Sequence, residues 1–286
     1  HSQPLVVNYG ATGGGYTSEN PDMRLLVGSN SGFVHMFKSS DGQEAWGFFP
    51  KELASILPLR RRDATSSEHV YGMDLTPVAY TLDANADGTI KSADGDKVWA
   101  FFGMRRGGNS YYALDITSPN TPSFMWRIGQ DVSGFSELGQ TWSEPVVTRI
   151  SGYKDDEGIP KPVLIFGAGY DTNKDGSGVG TIDSQGRGIF IVDAQTGALV
   201  WSLTPAANDA KNMSAPGLLH AVPGDVTVLD SNTDELTDRI YFGDTGGNVW
   251  RIDLPGNALP SSSQDSWFIT KLGDFNGGLN PTDRRF

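Results

Sequence analysis

Short apolar runs alternate with turns rich in Gly, Asn and Asp along the whole chain. The runs are about five residues long and no stretch has a convincing helical period, which is typical of antiparallel β-structure. One unit repeats: an apolar strand, a glycine-rich turn, a second strand that ends in Asp, a polar turn and a strand with Trp. Four copies align, and they begin at Arg24, Val98, Val163 and Arg239.

A repeated unit of short strands predicts an all-β fold, specifically a β-propeller in which each copy forms one blade. Trp46, Trp126 and Trp201 fall at the same place in three copies, so we expect them to pack between blades instead of lining a cofactor cage. We expect residues 1–286 to form a single propeller domain. Uneven spacing between copies leaves open whether the propeller closes within this chain. A short helix is expected around Lys51–Leu57, in an insertion outside the repeat.

Composition narrows the possible functions. A net charge of −12 and a pI near 4.7 disfavour nucleic acid as a partner and favour cations. The absence of cysteine excludes disulfides, thiolate catalysis and cysteine-based zinc sites. No segment approaches the ~18 apolar residues of a transmembrane span. One basic cluster, Arg60–Arg62, is expected to be a solvated face or a subunit contact.

The sharpest chemical signal is a loop with oxygen donors at alternate positions. Its candidate ligands are Asp230, Asn232, Asp234, the carbonyl of Leu236, and Asp238. Ca²⁺ takes about 6–8 oxygens, and a loop with this spacing can wrap one ion. Glu235 stands where an EF-hand has glycine, Tyr241 replaces the glutamate at position twelve, and a strand follows in place of a helix. The loop is therefore not an EF-hand. The alternative is a polar hairpin turn without a metal.

A second stretch has a similar donor pattern. Its candidate calcium ligands are Asp83, Asn85, Asp87, Thr89 and Asp94. Gly88 matches the turn glycine, whereas Lys91 takes the ninth position. The alternative is an acidic hairpin tip that needs no ion. A weaker third candidate begins at Asp171 and could include Asp183 only with altered spacing.

The sequence gives no positive evidence for catalysis. His35, His69 and His220 are scattered, and neither Gly-x-Ser-x-Gly nor His-Glu-x-x-His is present. We therefore expect a protein that is not an enzyme and whose cofactor is Ca²⁺.

Four motifs in one order resemble a known family. They are Gly107–Ile116, Gly169–Asp175, Ile189–Gly197, and the unit that runs from the Asp230 loop to Arg251. Together they resemble the C-terminal propeller domain of the PilY/PilC family of type IV pilus biogenesis factors and tip adhesins. The similarity covers roughly residues 20–285.

The resemblance implies a modified, quinoprotein-like propeller of seven blades, and a full protein with a further N-terminal region. It implies a secreted protein at the cell surface or pilus tip of a Gram-negative bacterium, associated with the outer membrane. Its implied partners are minor pilins and other tip components, with a host or surface receptor as a further candidate. The calcium loop of the family controls pilus extension and retraction and supports twitching motility and adhesion. It maps onto Asp230, Asn232, Asp234, Leu236 and Asp238.

Two other functions are compatible with a tryptophan-containing propeller repeat. One is a quinoprotein-like dehydrogenase that holds pyrroloquinoline quinone beside Ca²⁺, although the vicinal cysteine pair common in such alcohol dehydrogenases is impossible here. The other is a scaffold of the outer-membrane assembly type, which should not respond to calcium.

Overall fold

The computed structural model describes most of the chain. The described residues are 2–62, 69–176, 181–206, 209, 211–260, 267–277 and 285–286. They form two compact units, residues 1–127 and residues 128–286.

The first unit contains two four-stranded antiparallel sheets with strands in sequence order. The first sheet has β1 (Leu5–Asn8), β2 (Met23–Gly28), β3 (Val34–Lys38) and β4 (Glu44–Phe48). The second has β5 (Val78–Leu82), β6 (Lys97–Gly103), β7 (Ser110–Asp115) and β8 (Ser123–Gly129), which runs just past the unit boundary. Along the chain, a 3₁₀ helix, Lys51–Ile56, and a short helix α1, Leu57–Arg62, connect β4 to β5.

The second unit also contains two sheets. One has β9 (Val146–Lys154), β10 (Pro160–Gly167), β11 (Ile189–Asp193), β12 (Leu199–Thr204) and β13 (Asn212–Ser214), and β13 joins β12 in parallel. The other has β14 (Thr227–Leu229), β15 (Arg239–Gly243), β16 (Asn248–Asp253) and β17 (Phe268–Asp274). Further 3₁₀ turns span Ser92–Asp94, Arg105–Gly107 and Thr172–Asp175.

The inner strands carry the cores. All residues of β11 are buried, because both faces of this strand are covered. β15 alternates between buried and partly buried residues, with Ile240 and Phe242 pointing to the core. In the first unit, Leu26 of β2 pairs with Met36 of β3, and both are fully buried. Each unit thus has its own apolar core.

The repeat correctly predicts the three strands of each copy, which are β2 to β4, β6 to β8, β10 to β12 and β15 to β17. It does not cover the first strands of the four sheets, β1, β5, β9 and β14, because each copy starts at the second strand. The predicted helix near Lys51 is present and extends to Arg62. No helix in the described ranges is both long and apolar enough to cross a membrane.

Tryptophans join neighbouring sheets within each unit. Trp46 of β4 donates its indole N–H to the carbonyl of Pro119, in the turn between β7 and β8, at 3.0 Å. The rings of Trp201 in β12 and Trp267 beside β17 lie 4.9 Å apart. The prediction of packing between blades is confirmed for Trp46 and Trp201. Trp126 stacks on Phe101 of its own sheet, with ring centroids 5.8 Å apart, and its packing between blades stays a prediction.

Candidate metal centre

The predicted loop connects β14 to β15 and is fixed at its C-terminal end. The amide of Asp238 donates to the carbonyl of Leu229 at 2.9 Å, which closes the hairpin. The amide of Thr237 donates to the carbonyl of Arg149 in β9 at 2.8 Å, and the hydroxyls of Thr237 and Thr148 lie 2.9 Å apart. The loop is therefore attached to the neighbouring sheet as well as to its own.

Asp230 organises the turn. Its Oδ1 accepts the amides of Asn232 at 3.1 Å and Thr233 at 2.6 Å, and its Oδ2 accepts the amide of Glu235 at 2.8 Å. Desolvation raises the pKa of the Asp230 carboxyl, but hydrogen bonds from these amides and that of Asp234 outweigh it, so the pKa lies below its usual range. The backbone thus curls around one ionised carboxylate.

The other predicted ligands lie along the same curl. The Oδ1 of Asn232 accepts the amide of Asp234 at 3.0 Å, and the Oδ1 of Asp234 accepts the amide of Leu236 at 2.9 Å. The Nδ2 of Asn232 donates to Oδ2 of Asp234 at 3.2 Å. Asp238 closes the loop, because its Oδ2 accepts both the amide of Ser231 at 2.8 Å and the hydroxyl of Ser231 at 2.5 Å.

Glu235 adopts a backbone conformation that favours glycine. Its φ is 65°, as is that of Thr233. For a residue with a Cβ, the left-handed region costs roughly 1–2 kcal/mol. Glu235 therefore adopts a strained backbone at the position where an EF-hand has glycine.

The second predicted loop, between β5 and β6, repeats this arrangement. Asp83 accepts the amides of Asp87 at 3.3 Å and Gly88 at 2.7 Å. Asn85 accepts the amide of Asp87 at 3.1 Å, and Asp87 accepts the amide of Thr89 at 2.8 Å. Gly88 has φ 77°, in the position that Glu235 occupies in the first loop. The two loops share one backbone design.

The second loop is also attached to the preceding sheet. The amide of Ile90 donates to the carbonyl of Tyr9, just after β1, at 3.0 Å. Gly10 lies so close that a Cβ there would sit 2.0 Å from the carbonyl oxygen of Gly88. Ile90 and Thr237 therefore play the same part in their loops.

The carboxylate that closes the second loop lies outside the predicted ligand set. Asp96, rather than Asp94, closes the second loop: its carboxylate accepts the amides of Ala84 at 2.8 Å and Lys91 at 2.7 Å. The amide hydrogen bonds of Lys91 and Ala84 hold the pKa of the fully buried Asp96 carboxyl below its usual value. Asp94 lies in the intervening 3₁₀ turn, and its side chain is exposed. The position of Asp96 in the sequence could have identified it, because Asp96 directly precedes β6 as Asp238 directly precedes β15.

In the third candidate metal site, which begins at Asp171, a lysine side chain supplies a positive charge. Asp171 accepts the amide of Asn173 at 3.0 Å and the amide and hydroxyl of Ser184 at 2.7 and 2.8 Å. The buried ammonium of Lys174 lies 3.4 Å from Oδ1 of the buried Asp183. Asp183 therefore faces a lysine in this region, and the geometry favours an ion pair over a metal.

Sequence reasoning also missed a side-chain arrangement at β2 to β4. His35 lies 3.3 Å from the Ser29 hydroxyl through Nε2 and 3.1 Å from Glu44 Oε1 through Nδ1. The Ser29 hydroxyl also lies 3.1 Å from the carbonyl of Phe33 and 2.6 Å from the Ser31 hydroxyl. Only the fold brings these residues together, because Glu44 comes from the strand next to that of His35.

The donor chemistry of the Asp230 loop suits a hard cation. Carboxylate, amide and carbonyl oxygens are the ligands that Ca²⁺ prefers. Within the part of the chain that the structure describes, no group of three or more His, Asp or Glu side chains is gathered as a metal cage. The three aspartates among the predicted ligands, Asp230, Asp234 and Asp238, each accept main-chain amides. The donor set fits calcium, and its oxygens are already arranged along one curl of backbone.

Repeated sheets of four or five mostly antiparallel strands, two of them with an acidic loop at the hairpin between their first two strands, are typical of a β-propeller domain. The family model of the PilY1 beta-propeller domain matches residues 6–268. The chain therefore belongs to the PilY1 beta-propeller family.

Individual relatives agree with this assignment. The chain is 30% identical over 238 residues to the type IV pilus biogenesis factor PilY1 of Pseudomonas aeruginosa (strain UCBPP-PA14), which covers 82% of this chain and 17% of the relative. It is 27% identical over 242 residues to a PilY1 homolog of Xylella fastidiosa, covering 81% of this chain and 14% of the relative. The chain thus spans only a small part of these proteins.

A solved structure shows the same fold. The crystal structure of the Pseudomonas aeruginosa PilY1 C-terminal domain matches with a TM-score of 0.55 and 25% identity, over 82% of this chain and 38% of that chain. The predicted all-β propeller fold is confirmed. The described residues form four sheets, and the seven-blade count and the single-domain boundary stay predictions.

Proposed function

We propose that this chain is the calcium-binding propeller domain of a type IV pilus biogenesis factor, and that calcium in the Asp230 loop regulates pilus extension and retraction. The observation that carries the proposal is the curl of backbone around Asp230, with Asn232, Asp234 and Asp238 along it. Membership of the PilY1 family supports the pilus context.

The proposed ligands are Asp230, Asn232, Asp234, the Leu236 carbonyl and Asp238. The three carboxylates among these ligands lie in one short loop and repel one another, and a bound divalent cation would offset that repulsion. The loop residues already hold their backbone turn through the amides that Asp230 accepts. What the ion adds is a stabilised loop conformation.

The loop contacts β9 of the neighbouring sheet, so calcium binding at the loop would also affect other parts of the second unit. Thr237 lies between Leu236 and Asp238, two proposed ligands, and its amide and hydroxyl contact Arg149 and Thr148 of β9. Ordering the loop should therefore also order this junction between sheets. Calcium binding at the loop would then change the packing of two neighbouring blades.

We propose a second, weaker calcium site at Asp83, Asn85, Asp87 and Thr89. Here Asp96 replaces the originally predicted Asp94 as the closing carboxylate, since Asp96 occupies the place of Asp238. Lys91 at the ninth position puts a positive charge beside this loop, which should lower its affinity for a cation.

We infer that the domain acts at the cell surface or pilus tip of a Gram-negative bacterium, with minor pilins or other tip components as partners. A host or surface receptor is a further proposed partner, and twitching motility and adhesion are the proposed outcomes. Support comes from the relatives, which are named type IV pilus biogenesis factors.

We also propose that the domain is not an enzyme. The arrangement most similar to a nucleophile and base is Ser29, His35 and Glu44, and it is surface-located, with Glu44 46% exposed. The Ser29 hydroxyl has one proton, and the Phe33 carbonyl competes with His35 for it. Hydrolysis of p-nitrophenyl acetate should be the same for wild type and Ser29→Ala, and a loss of turnover in the variant would contradict this proposal. Dye reduction with alcohols after addition of pyrroloquinoline quinone would instead support the dehydrogenase alternative.

Calcium titration tests the main proposal. Calorimetry and thermal melting of this chain should show a calcium-dependent gain in stability that Asp230→Ala with Asp234→Ala removes. Asp155→Ala is the matched control, because Asp155 also accepts loop amides, from Glu157 and Ile159, in the short hairpin between β9 and β10. Identical melting curves with and without calcium in the wild type would remove the proposal. In cells, the same variants in the full protein should alter piliation and twitching while Asp155→Ala does not.

A further inference from the structure

The basic cluster noted in the sequence forms part of a larger surface in the first unit. Arg60 and Arg61 of α1 are exposed, although the chain as a whole carries a charge of −12. The Nη2 of Arg60 donates to the carbonyls of Asn30 and Val70, at 2.5 Å each. This contact fixes α1 against the segment that contains His69 and Tyr71.

A further arginine, Arg106, borders the same segment. The guanidinium carbon of Arg106 lies 6.0 Å from the ring centroid of Tyr71, and the Tyr71 ring meets the His69 ring edge-on at 4.5 Å. Arg106 belongs to the turn between β6 and β7, and its neighbour Arg105 has φ 50°. We call Arg60, Arg61, His69, Tyr71 and Arg106 the basic patch.

Close backbone packing holds the elements of the patch in place. A Cβ on Gly107 would lie 2.0 Å from the carbonyl oxygen of Gly72, and a Cβ on Gly72 would lie 2.8 Å from that of Ser29. The turn after β6, the segment around Gly72 and the turn after β2 therefore stack directly on one another. A patch with a fixed backbone loses less entropy when a partner binds.

Apolar side chains adjoin the charges on α1. Leu57 and Leu59 are 45% and 52% exposed, whereas Leu53 and Ile56 of the preceding 3₁₀ helix are buried. The insertion thus already has an inner apolar face, and these two leucines lie outside it. Arg and Tyr beside exposed leucine is the composition of a protein-binding surface, since Arg and aromatic residues are enriched at interfaces.

We propose that the basic patch docks an acidic segment of a partner protein that also presents apolar side chains. Guanidinium groups bind carboxylates in a planar, two-pronged geometry, and Tyr71 with Leu57 and Leu59 would bury the apolar part. The strongly negative charge of the remaining surface disfavours nucleic acid, which would need a broad basic footprint. None of the residues of the basic patch is a proposed calcium ligand.

The test measures binding of a fluorescein-labelled peptide of alternating Glu and Leu by fluorescence anisotropy. Wild type should bind it in EDTA as well as in calcium, and more weakly at 300 mM than at 50 mM NaCl, because salt screens exposed charges. Arg61→Glu should weaken binding by about tenfold, as expected for loss of a charge-assisted contact. Lys154→Glu, which makes the same change in net charge at an exposed lysine of β9, should change it less than about twofold.

Arg106→Gln provides a second variant, with its melting temperature measured alongside to verify folding. Weakened binding by both arginine variants and not by Lys154→Glu supports the proposal. It is overturned if the peptide does not bind, if all three variants lose binding equally, or if a sulfated heparin fragment binds through Arg61 and Arg106 while the peptide does not. Since binding is measured in EDTA, its failure says nothing about the calcium proposal.

Discussion

The loop between β5 and β6 and the loop between β14 and β15 share one backbone design, and the residues at their sixth and ninth positions set them apart. Each curls around a first aspartate, Asp83 or Asp230, and each donates one amide to the sheet before it, from Ile90 or Thr237. At the sixth position one loop has Gly88 and the other Glu235. At the ninth position one has Lys91 and the other Asp238.

One loop has the less strained backbone, and the other has the better placed closing ligand. The Gly88 loop has no side chain at its second left-handed position, but a lysine takes the place of its ninth ligand. The loop must therefore insert a 3₁₀ turn before Asp96 supplies the closing carboxylate. The Glu235 loop closes directly with Asp238 and carries a strained residue at its centre. An unstrained backbone at the sixth position and a closing carboxylate at the ninth are therefore separate requirements of such a loop.

The largest expected effect comes from removing the first aspartate of the better donor set. Asp230→Ala deletes a proposed ligand and the acceptor of the Asn232, Thr233 and Glu235 amides. We expect the affinity for calcium to fall by on the order of 100-fold, since affinity in such loops follows the number of charged ligands. Isothermal titration calorimetry measures it. Asp83→Ala should leave the tighter binding step intact, and if it removes that step instead, the assignment of the stronger site is wrong.

A smaller effect distinguishes Asp96 from Asp94. Asp96→Asn replaces a fully buried carboxylate that accepts two amides, so its amide nitrogen would face one of those donors. We expect a lower melting temperature and faster hydrogen exchange at the Ala84 and Lys91 amides. Asp94→Asn is the control and should change neither. Equal exchange rates in the two variants would restore Asp94 as an equivalent candidate.

Exchanging the sixth residues tests the backbone difference. Glu235→Gly should stabilise the domain by roughly 0.5–1 kcal/mol, because relief of left-handed strain exceeds the added chain entropy of glycine. Gly88→Glu should destabilise it by about 1 kcal/mol. A Cβ at Gly88 meets no atom within 4 Å, so that cost would come from the backbone alone. Chemical denaturation measures both, and changes of the same sign in the two variants would contradict the explanation.

The fold could be predicted from the sequence because strand, turn and tryptophan recur in one order. The three strands of each copy follow from apolar runs, and Trp46 and Trp201 lie between sheets as their repeat position indicates. The first strands of the four sheets, β1, β5, β9 and β14, could not be found from the repeat because they precede each copy. β13, which joins β12 in parallel, has no pattern of its own over three residues.

The candidate site was predictable only as far as local spacing determines it. Asp230, Asn232 and Asp234 lie along one turn, so their spacing in sequence fixes their spacing in space. Asp96 reaches the loop only because a 3₁₀ turn, Ser92–Asp94, precedes it. Counting twelve positions from Asp83, as in an EF-hand, therefore points to Asp94. The contact of Glu44 with His35 depends on strand pairing, which no local motif records.

The smallest expected effect concerns pH. The carboxyls of Asp230 and Asp96 have folded-state pKa values below the ordinary 3.8, so each binds a proton less readily in the folded protein than in the unfolded chain. Their contribution is fully present above that ordinary value and is lost as pH falls through the lowered pKa. The difference in melting temperature between wild type and Asp96→Asn should therefore be constant from pH 7 to about pH 5 and shrink below about pH 4. If the difference instead grew at low pH, the carboxylate of Asp96 would not be the charged acceptor of the Ala84 and Lys91 amides, and the parallel with Asp238 would fail.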